Sequence, residues 1–117
     1  MKAIIEVAKR GSALRAARQQ IAESHPGYSP DFRLSFESAR TLFAELTPAR
    51  LDLLDTLSKL GTASVYALAK AAERNYSNVH SDIARLEELG LVERAENGNI
   101  FVPFTAVEIR MQFAEAA

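Results

Sequence analysis

The chain contains no cysteine, which excludes a disulfide framework and any cysteine-ligated metal centre. Histidine is scarce as well: His25 and His80 are the only two, too few to assemble a ligand cluster without cysteine. No glycine-rich phosphate loop and no nucleophile motif occurs. Glu87, Glu88 and Glu93 fall on exposed parts of an expected helix and hairpin, where carboxylates are ordinary solvated charges. The chain therefore reads as non-enzymatic, with no catalytic residue, metal or cofactor. No apolar run approaches the roughly 20 residues of a membrane span, and the N-terminus lacks the charged, apolar and cleavage regions of a secretory signal. The expected location is cytoplasmic, with no membrane partner. A general excess of positive charge is also missing, since 14 basic residues face 15 acidic ones. What is present, 117 residues with 48% hydrophobic and 25% charged side chains, is ordinary for one compact globular domain.

Residues 47–104 carry the most legible pattern. Thr47 suits a helix N-cap and Pro48 the first helical position, where its missing N–H is no loss; Leu51, Leu54, Leu57 and Leu60 then recur until Gly61 stops the helix. Ser64 can cap a second, short helix with Val65, Leu68, Ala69 and Ala72 on a narrow apolar face. Glu73-Arg74-Asn75 forms a polar turn, and Asn75 caps a third helix whose Val79, Ile83 and Leu86 face inward. Gly90 fits the left-handed position after that helix, with Leu91 placed to touch Leu86 as a Schellman motif prefers. Leu91 to Arg94 and Asn99 to Phe104 then read as extended segments around Asn97-Gly98, a dipeptide favoured in type I′ hairpin turns.

The ends carry strand patterns. Lys2 to Ala8, with Ile4, Ile5 and Val7, reads as a strand; Gly11-Ser12 breaks it, Ser12 can cap a helix to about Glu23, and His25 to Pro30 is a loop. Phe32, Leu34 and Phe36 alternate with Arg33 and Ser35, and Ala39, Leu42, Phe43 and Leu46 mark another amphipathic helix. Val107, Ile109, Met111 and Phe113 alternate with Glu108, Arg110 and Gln112. Isolated strands leave costly open edges, so these three should pair within one chain or across two, or offer an edge to a partner protein.

The order of three helices and a hairpin, with the run Ile83-Ala84-Arg85-Leu86-Glu87-Glu88-Leu89-Gly90-Leu91-Val92-Glu93-Arg94, is the signature of a winged helix-turn-helix. Residues 46–104 resemble the domains of that kind in MarR-like and ArsR-like prokaryotic regulators. The segments Asp31-Phe32-Arg33-Leu34-Ser35-Phe36, Leu46-Thr47-Pro48, Asn78-Val79-His80 and Val102-Pro103-Phe104 are similar to a group of small prokaryotic DNA-binding proteins often encoded beside a toxin gene and regarded as antitoxins. The resemblance implies an α+β fold, a winged helix-turn-helix at 47–104 with an added N-terminal β-α-β segment within 1–46 and a C-terminal strand in 105–117. It also implies a regulator that binds double-stranded DNA, represses its own operon and has a cognate toxin as partner; a homodimer is expected from the terminal strands, with residues 1–46 as a dimerisation or partner-binding extension.

In such a fold Ser77, Asn78, Ser81 and Arg85 lie on the side of the third helix away from its apolar residues, with Tyr76 and His80 at the margins, as polar groups suited to base edges. Arg74 beside that helix, and Arg94, Asn97 and Asn99 at the hairpin, are further candidates for contact with DNA. The charge balance opposes this reading: residues 47–104 hold Arg50, Lys59, Lys70, Arg74, Arg85 and Arg94 against eight carboxylates, a net −2, where DNA-binding modules are usually basic. The basic surplus sits in residues 1–46, on Lys9, Arg10, Arg15, Arg18, Arg33 and Arg40. A local cluster of Lys70, Arg74, Arg85 and Arg94 can still reach phosphates, and a dimer would double the contacts. The competing reading is a protein-interaction module whose acidic face meets a basic partner.

Overall fold

The computed structural model describes residues 1–8 and 31–113. The helix expected at 12–23, the loop at 25–30 and the basic residues Lys9, Arg10, Arg15 and Arg18 lie outside the described residues. In chain order the elements are β1 (Ala3–Val7), β2 (Phe32–Phe36), α1 (Ala39–Glu45), α2 (Pro48–Leu60), β3 (Thr62–Ala63), α3 (Val65–Ala72), α4 (Tyr76–Glu88), β4 (Glu93–Arg94), β5 (Ile100–Phe101) and β6 (Val107–Met111). Among the described residues, four helices and two small sheets make an α+β fold. It divides into two compact units, Met1–Glu45 with Phe104–Ala117, and Leu46–Pro103.

In the first unit the three terminal strands pair with one another inside one chain, in the order β2-β1-β6, and all pairings are parallel. Ala3, Ile5 and Val7 stand level with Phe32, Leu34 and Phe36 on one side and with Val107, Ile109 and Met111 on the other. Because side chains alternate along a strand, all nine share one sheet face, and that face is wholly apolar. The opposite face mixes Ile4 with charge: Arg33 pairs with Glu6 at 3.5 Å, and Glu108 accepts from Lys2 at 3.2 Å and Arg110 at 2.8 Å. Ala3, Ile4 and Ile5 are buried, so the central strand is covered on both faces, as parallel strands require. Helix α1 is started by Ser38, whose Oγ accepts from the Thr41 N–H at 3.1 Å, and it seals Leu42. The Thr105 N–H donates to the Met1 carbonyl at 3.0 Å and the Ala3 N–H to the Ala106 carbonyl at 3.0 Å, which fixes the register of β6 against β1.

In the second unit the expected caps form. Thr47 Oγ1 accepts from the Arg50 N–H at 3.2 Å, Ser64 Oγ from the Ala67 N–H at 3.0 Å and Asn75 Oδ1 from the Asn78 N–H at 3.2 Å, each satisfying a donor the helix itself cannot pair. Leu53, Leu54 and Leu57 of α2, Leu68 and Ala69 of α3 and Val79, Ile83 and Leu86 of α4 are buried where these three helices pack on one another. Burial of each large side chain contributes roughly 1.5–3 kcal/mol. The inward face of α2 departs from the reading of every third residue. Leu60 is 45% exposed and Leu53 is buried instead, because steps of three fall about 60° short of a full turn and carry the stripe off the core within three steps.

The hairpin differs from expectation in two ways. Glu93 pairs with Phe101 and Arg94 with Ile100, while the Gly98 N–H donates to the Ala95 carbonyl at 2.9 Å and the Ala95 N–H to the Asn99 carbonyl at 2.7 Å. The loop is therefore Glu96-Asn97-Gly98, one residue longer than a type I′ turn. Gly98 has φ +88°, whereas Asn97 has no positive φ, so the left-handed residue is the glycine alone, as in a three-residue loop ending in a bulge. The ladder is also short: β5 ends at Phe101, ahead of Pro103, which has no N–H to donate. A strand not expected from the sequence, β3, pairs antiparallel with β5 through Thr62 to Phe101 and Ala63 to Ile100. It places Ile100, fully buried, in the middle of a three-stranded sheet.

Glu73 in the α3–α4 turn has φ 55° and ψ 44°, a left-handed conformation that costs a non-glycine residue roughly 1–2 kcal/mol. Its N–H donates to the Lys70 carbonyl at 3.2 Å, and the Arg74 N–H donates to the Ala69 carbonyl at 3.0 Å, so the strain is held by the closure of α3. Glu73→Gly removes the strain but gains unfolded-state freedom worth about 0.4–1 kcal/mol. The expected result is a net stabilisation of about 0.5–1 kcal/mol, visible as a higher midpoint in thermal unfolding.

Candidate nucleic-acid interface

Helix α4 presents one polar side to solvent. Val79, Ile83 and Leu86 point inward, and Tyr76, Ser77, Asn78, His80 and Ser81 are all exposed. At 100° per residue, Ser77, Ser81, Ala84 and Glu88 occupy the outward ridge, Asn78 flanks it on the side of Asp82, and Tyr76, His80 and Glu87 share the other flank. The Tyr76 and His80 rings lie 5.9 Å apart at a tilt of 39°. The ridge is built of small side chains at its N-terminal half, so a flat or grooved surface can approach the helix backbone closely there.

The cations are arranged differently from the phosphate cluster anticipated. Arg74 donates from Nη2 to Asp82 at 2.9 Å, and Arg50 donates from Nε to the other Asp82 oxygen at 3.0 Å. All three side chains are mostly buried, at 30%, 20% and 17% exposure. Burial by itself would raise the Asp82 carboxyl, but the hydrogen bonds from Arg74 and Arg50 outweigh it and hold the group below its ordinary value. Arg74 is thus a brace between the α3–α4 turn and α4, joined to α2 through Arg50.

Arg94 reaches from the hairpin to Glu87 on α4 and gives a second donor, Nη1, to the Gly98 carbonyl at 2.9 Å. Hydrogen bonding to Glu87 raises the guanidinium further above its ordinary range. Arg85 pairs with Glu88 at 2.9 Å, Lys59 with Asp55 at 3.0 Å. Among the described residues, Lys70 is the cation of this unit without an ion-pair partner. Asn97 Oδ1 accepts from the Asn99 N–H at 3.0 Å, so both hairpin asparagines serve the loop, with Asn97 exposed at its tip and Asn99 half-buried.

Magnitudes separate these arginines. The Arg85–Glu88 pair is exposed and worth about 0–1 kcal/mol, whereas Arg94 holds the half-buried Glu87 through both Nε and Nη2, a two-pronged contact stronger than an ordinary surface pair. The Asp82 cluster is two-sided and shielded, and opening it strands a mostly buried charge. Arg74 is accordingly committed to the Asp82 cluster. Sequence reasoning missed Arg50, Asp82 and Glu87 as the groups that set these positions. Only Arg85 and Glu88, at helical spacing, left a local signal.

The family model HVO_A0114 matches residues 45–109, more than half of the 117 residues. The chain belongs to the HVO_A0114 family. Among curated proteins and among solved structures, none matches the chain significantly. The HVO_A0114 match covers all of the α2-to-β5 segment and runs into β6, so the exposed side of α4 and the hairpin both lie inside the family's shared region. No helix among the described residues is long and apolar enough to cross a membrane, and no group of His and carboxylate side chains among them is placed to hold a metal ion.

Proposed function

We propose that residues 46–104 form a winged helix-turn-helix that binds double-stranded DNA, with α4 in the major groove and the β4–β5 hairpin as the wing beside it. The observation that carries this reading is the exposed side of α4: small polar Ser77 and Ser81 on the ridge, Asn78 and His80 beside them, and every neighbouring acidic group of the helix occupied by an arginine. Asn78 has the donor and acceptor pair that reads adenine, and the serines suit either base edge. A single unit has a net charge of −2, so two copies acting together fit the role better than one. The resemblance to toxin-associated regulators supports the further proposal that the protein is an antitoxin repressing its own operon, with a cognate toxin as protein partner.

The alternative of a protein-interaction module draws on a specific observation. Glu93 and Glu96 are exposed on the hairpin while its single arginine is turned onto Glu87, which leaves an acidic wing suited to a basic protein surface.

The test is a mobility shift on a fragment carrying the protein's own promoter. Asn78→Ala with Ser81→Ala should weaken specific binding by about 1–3 kcal/mol per lost base contact, with helix content unchanged, and wild-type binding should fall steeply with salt. A double variant that binds as tightly as wild type removes α4 from the reading role. An absence of salt-dependent binding, with a protein partner retained on purification, favours the interaction module.

A further inference from the structure

We propose that β6 is the self-association edge of this chain, pairing antiparallel with β6 of a second copy across a two-fold axis that passes through Ile109. The inference rests on the dimeric part of the reading above and specifies how that dimer is built.

The order β2-β1-β6 leaves β6 with one side of its backbone unpaired among the described residues. Edges left open in this way are normally blunted by charged side chains, lysine above all, by proline, a bulge or a covering element, and here the two charges, Glu108 and Arg110, are of opposite sign. The strand Val107-Glu108-Ile109-Arg110-Met111 has no proline or lysine and keeps an unbroken five-residue register with β1. Its apolar side chains are in the open: Val107 is 36% exposed, Ile109 40%, Met111 37%, and Phe113 beyond the strand 91%.

The strand is also complementary to its own reverse. With Ile109 opposite Ile109 of the second copy, Val107 faces Met111 on the apolar side, and on the other side Glu108 faces Arg110 twice over, once in each direction. Side chains opposed across an antiparallel pair favour opposite charges and like-sized apolar groups. The neighbouring registers fail. Centring the axis on Glu108 or on Arg110 sets like charges face to face, and a slip of half a step places charged groups opposite apolar ones and turns the apolar set to the wrong face. The other edge left open among the described residues, β2, lacks this property: reversing Phe-Arg-Leu-Ser-Phe about Leu34 sets Arg33 against Ser35, with no charge pair. Glu108 can hold Lys2 through Oε1 and offer Oε2, now on its own Arg110, to Arg110 of the second copy. The arginine is half exposed. The contact is isologous and closes on itself, giving one six-stranded sheet whose apolar face runs through both copies.

Light scattering and sedimentation of the full chain at micromolar concentration test the proposal. Glu108→Arg at a half-buried position and Arg110→Glu at an exposed one should each raise the dimer dissociation constant at least tenfold, and the double exchange Glu108→Arg with Arg110→Glu should restore most of the loss, short of what the Lys2–Glu108 pair contributes. Because the chain has no cysteine of its own, Ile109→Cys should give a disulfide-linked dimer on mild oxidation, and Ser35→Cys on β2 should not. A monomeric wild type, single charge reversals that leave the dimer unchanged, or crosslinking through Ser35→Cys as efficient as through Ile109→Cys would each overturn it. The mobility shift on the same variants keeps the two readings apart. A dimer that follows this charge logic but ignores DNA sinks the functional reading alone, and a DNA-binding dimer indifferent to the reversals sinks the strand pairing alone.

Discussion

Gly90→Val is expected to cost the second unit about 1–3 kcal/mol, toward the upper end because a β-branched side chain is placed at positive φ. Gly90 has φ +84°. The Leu91 N–H donates to the Leu86 carbonyl and the Gly90 N–H to the Glu87 carbonyl, both at 3.0 Å, which is the double closure of a Schellman motif. Leu86 and Leu91, joined by that closure, are both fully buried, so any relaxation of the backbone at Gly90 drags two core side chains and redirects the entry into β4. For a unit of this size each kcal/mol moves the thermal midpoint by roughly 4–8 °C. A useful companion is Gly98→Val. Its φ is +88° and nothing lies within 4 Å of the added Cβ, so it carries the strain without the displaced core. The expected order of midpoints is wild type, then Gly98→Val, then Gly90→Val. A Gly90→Val protein that melts with wild type would mean that the left-handed closure contributes nothing to holding α4 against the hairpin.

The features that could be read from the sequence are those set by neighbours in the chain. Thr47, Ser64 and Asn75 announce helix starts because a cap acts over three residues, and Gly90 announces a stop for the same reason. The strand at 107–111 was legible from strict alternation alone, yet alternation does not say which strand it joins. Its partner, β1, lies about a hundred residues away, and only the folded chain shows the pairing to be parallel and internal. Strand β3 is two residues long, too short to leave any period. At the candidate interface the exposed face of α4 follows from helical geometry and was expected, whereas the fate of the arginines was not. Arg74 meets Asp82 from the preceding turn, and Arg50 reaches it from another helix. Both contacts are decided by packing between elements, which no spacing rule encodes. Asn97-Gly98 suits a hairpin loop of two or three residues, and the choice is made by where Ala95 and Asn99 pair.

The Asp82 cluster carries the second large effect. Asp82→Ala should destabilise the second unit by about 2–3 kcal/mol, since hydrogen bonds to charged groups are worth about 1.5–3 kcal/mol and removal of the carboxylate leaves Arg50 and Arg74 facing each other, mostly buried. A fully buried pair would cost more, and the residual exposure of these side chains, 17–30%, lets water recover part of the loss. The pH dependence has a definite sign. Asp82 has a folded value below its ordinary 3.8, so in the folded state it releases its proton more readily than in the unfolded chain. Its contribution is therefore present in full above that ordinary value and is lost as the pH falls through the lower folded one. Chemical denaturation followed from neutral pH into this acid range should show wild-type stability falling, and Asp82→Asn should start lower and lack that component of the fall. An Asp82→Asn protein with the same acid slope as wild type would sink the assignment. The same cluster bears on the proposed DNA contact, because Asp82 lies one helical turn from Asn78 and ties α4 to both α2 and the turn before it. Loss of the carboxylate should weaken promoter binding even at a temperature where the unit remains folded, by freeing the helix from its brace rather than by removing a group that touches DNA. Arg50→Met, which cuts the brace from a different helix, should then weaken binding in the same direction, whereas a direct contact by Asp82 would be unaffected by it.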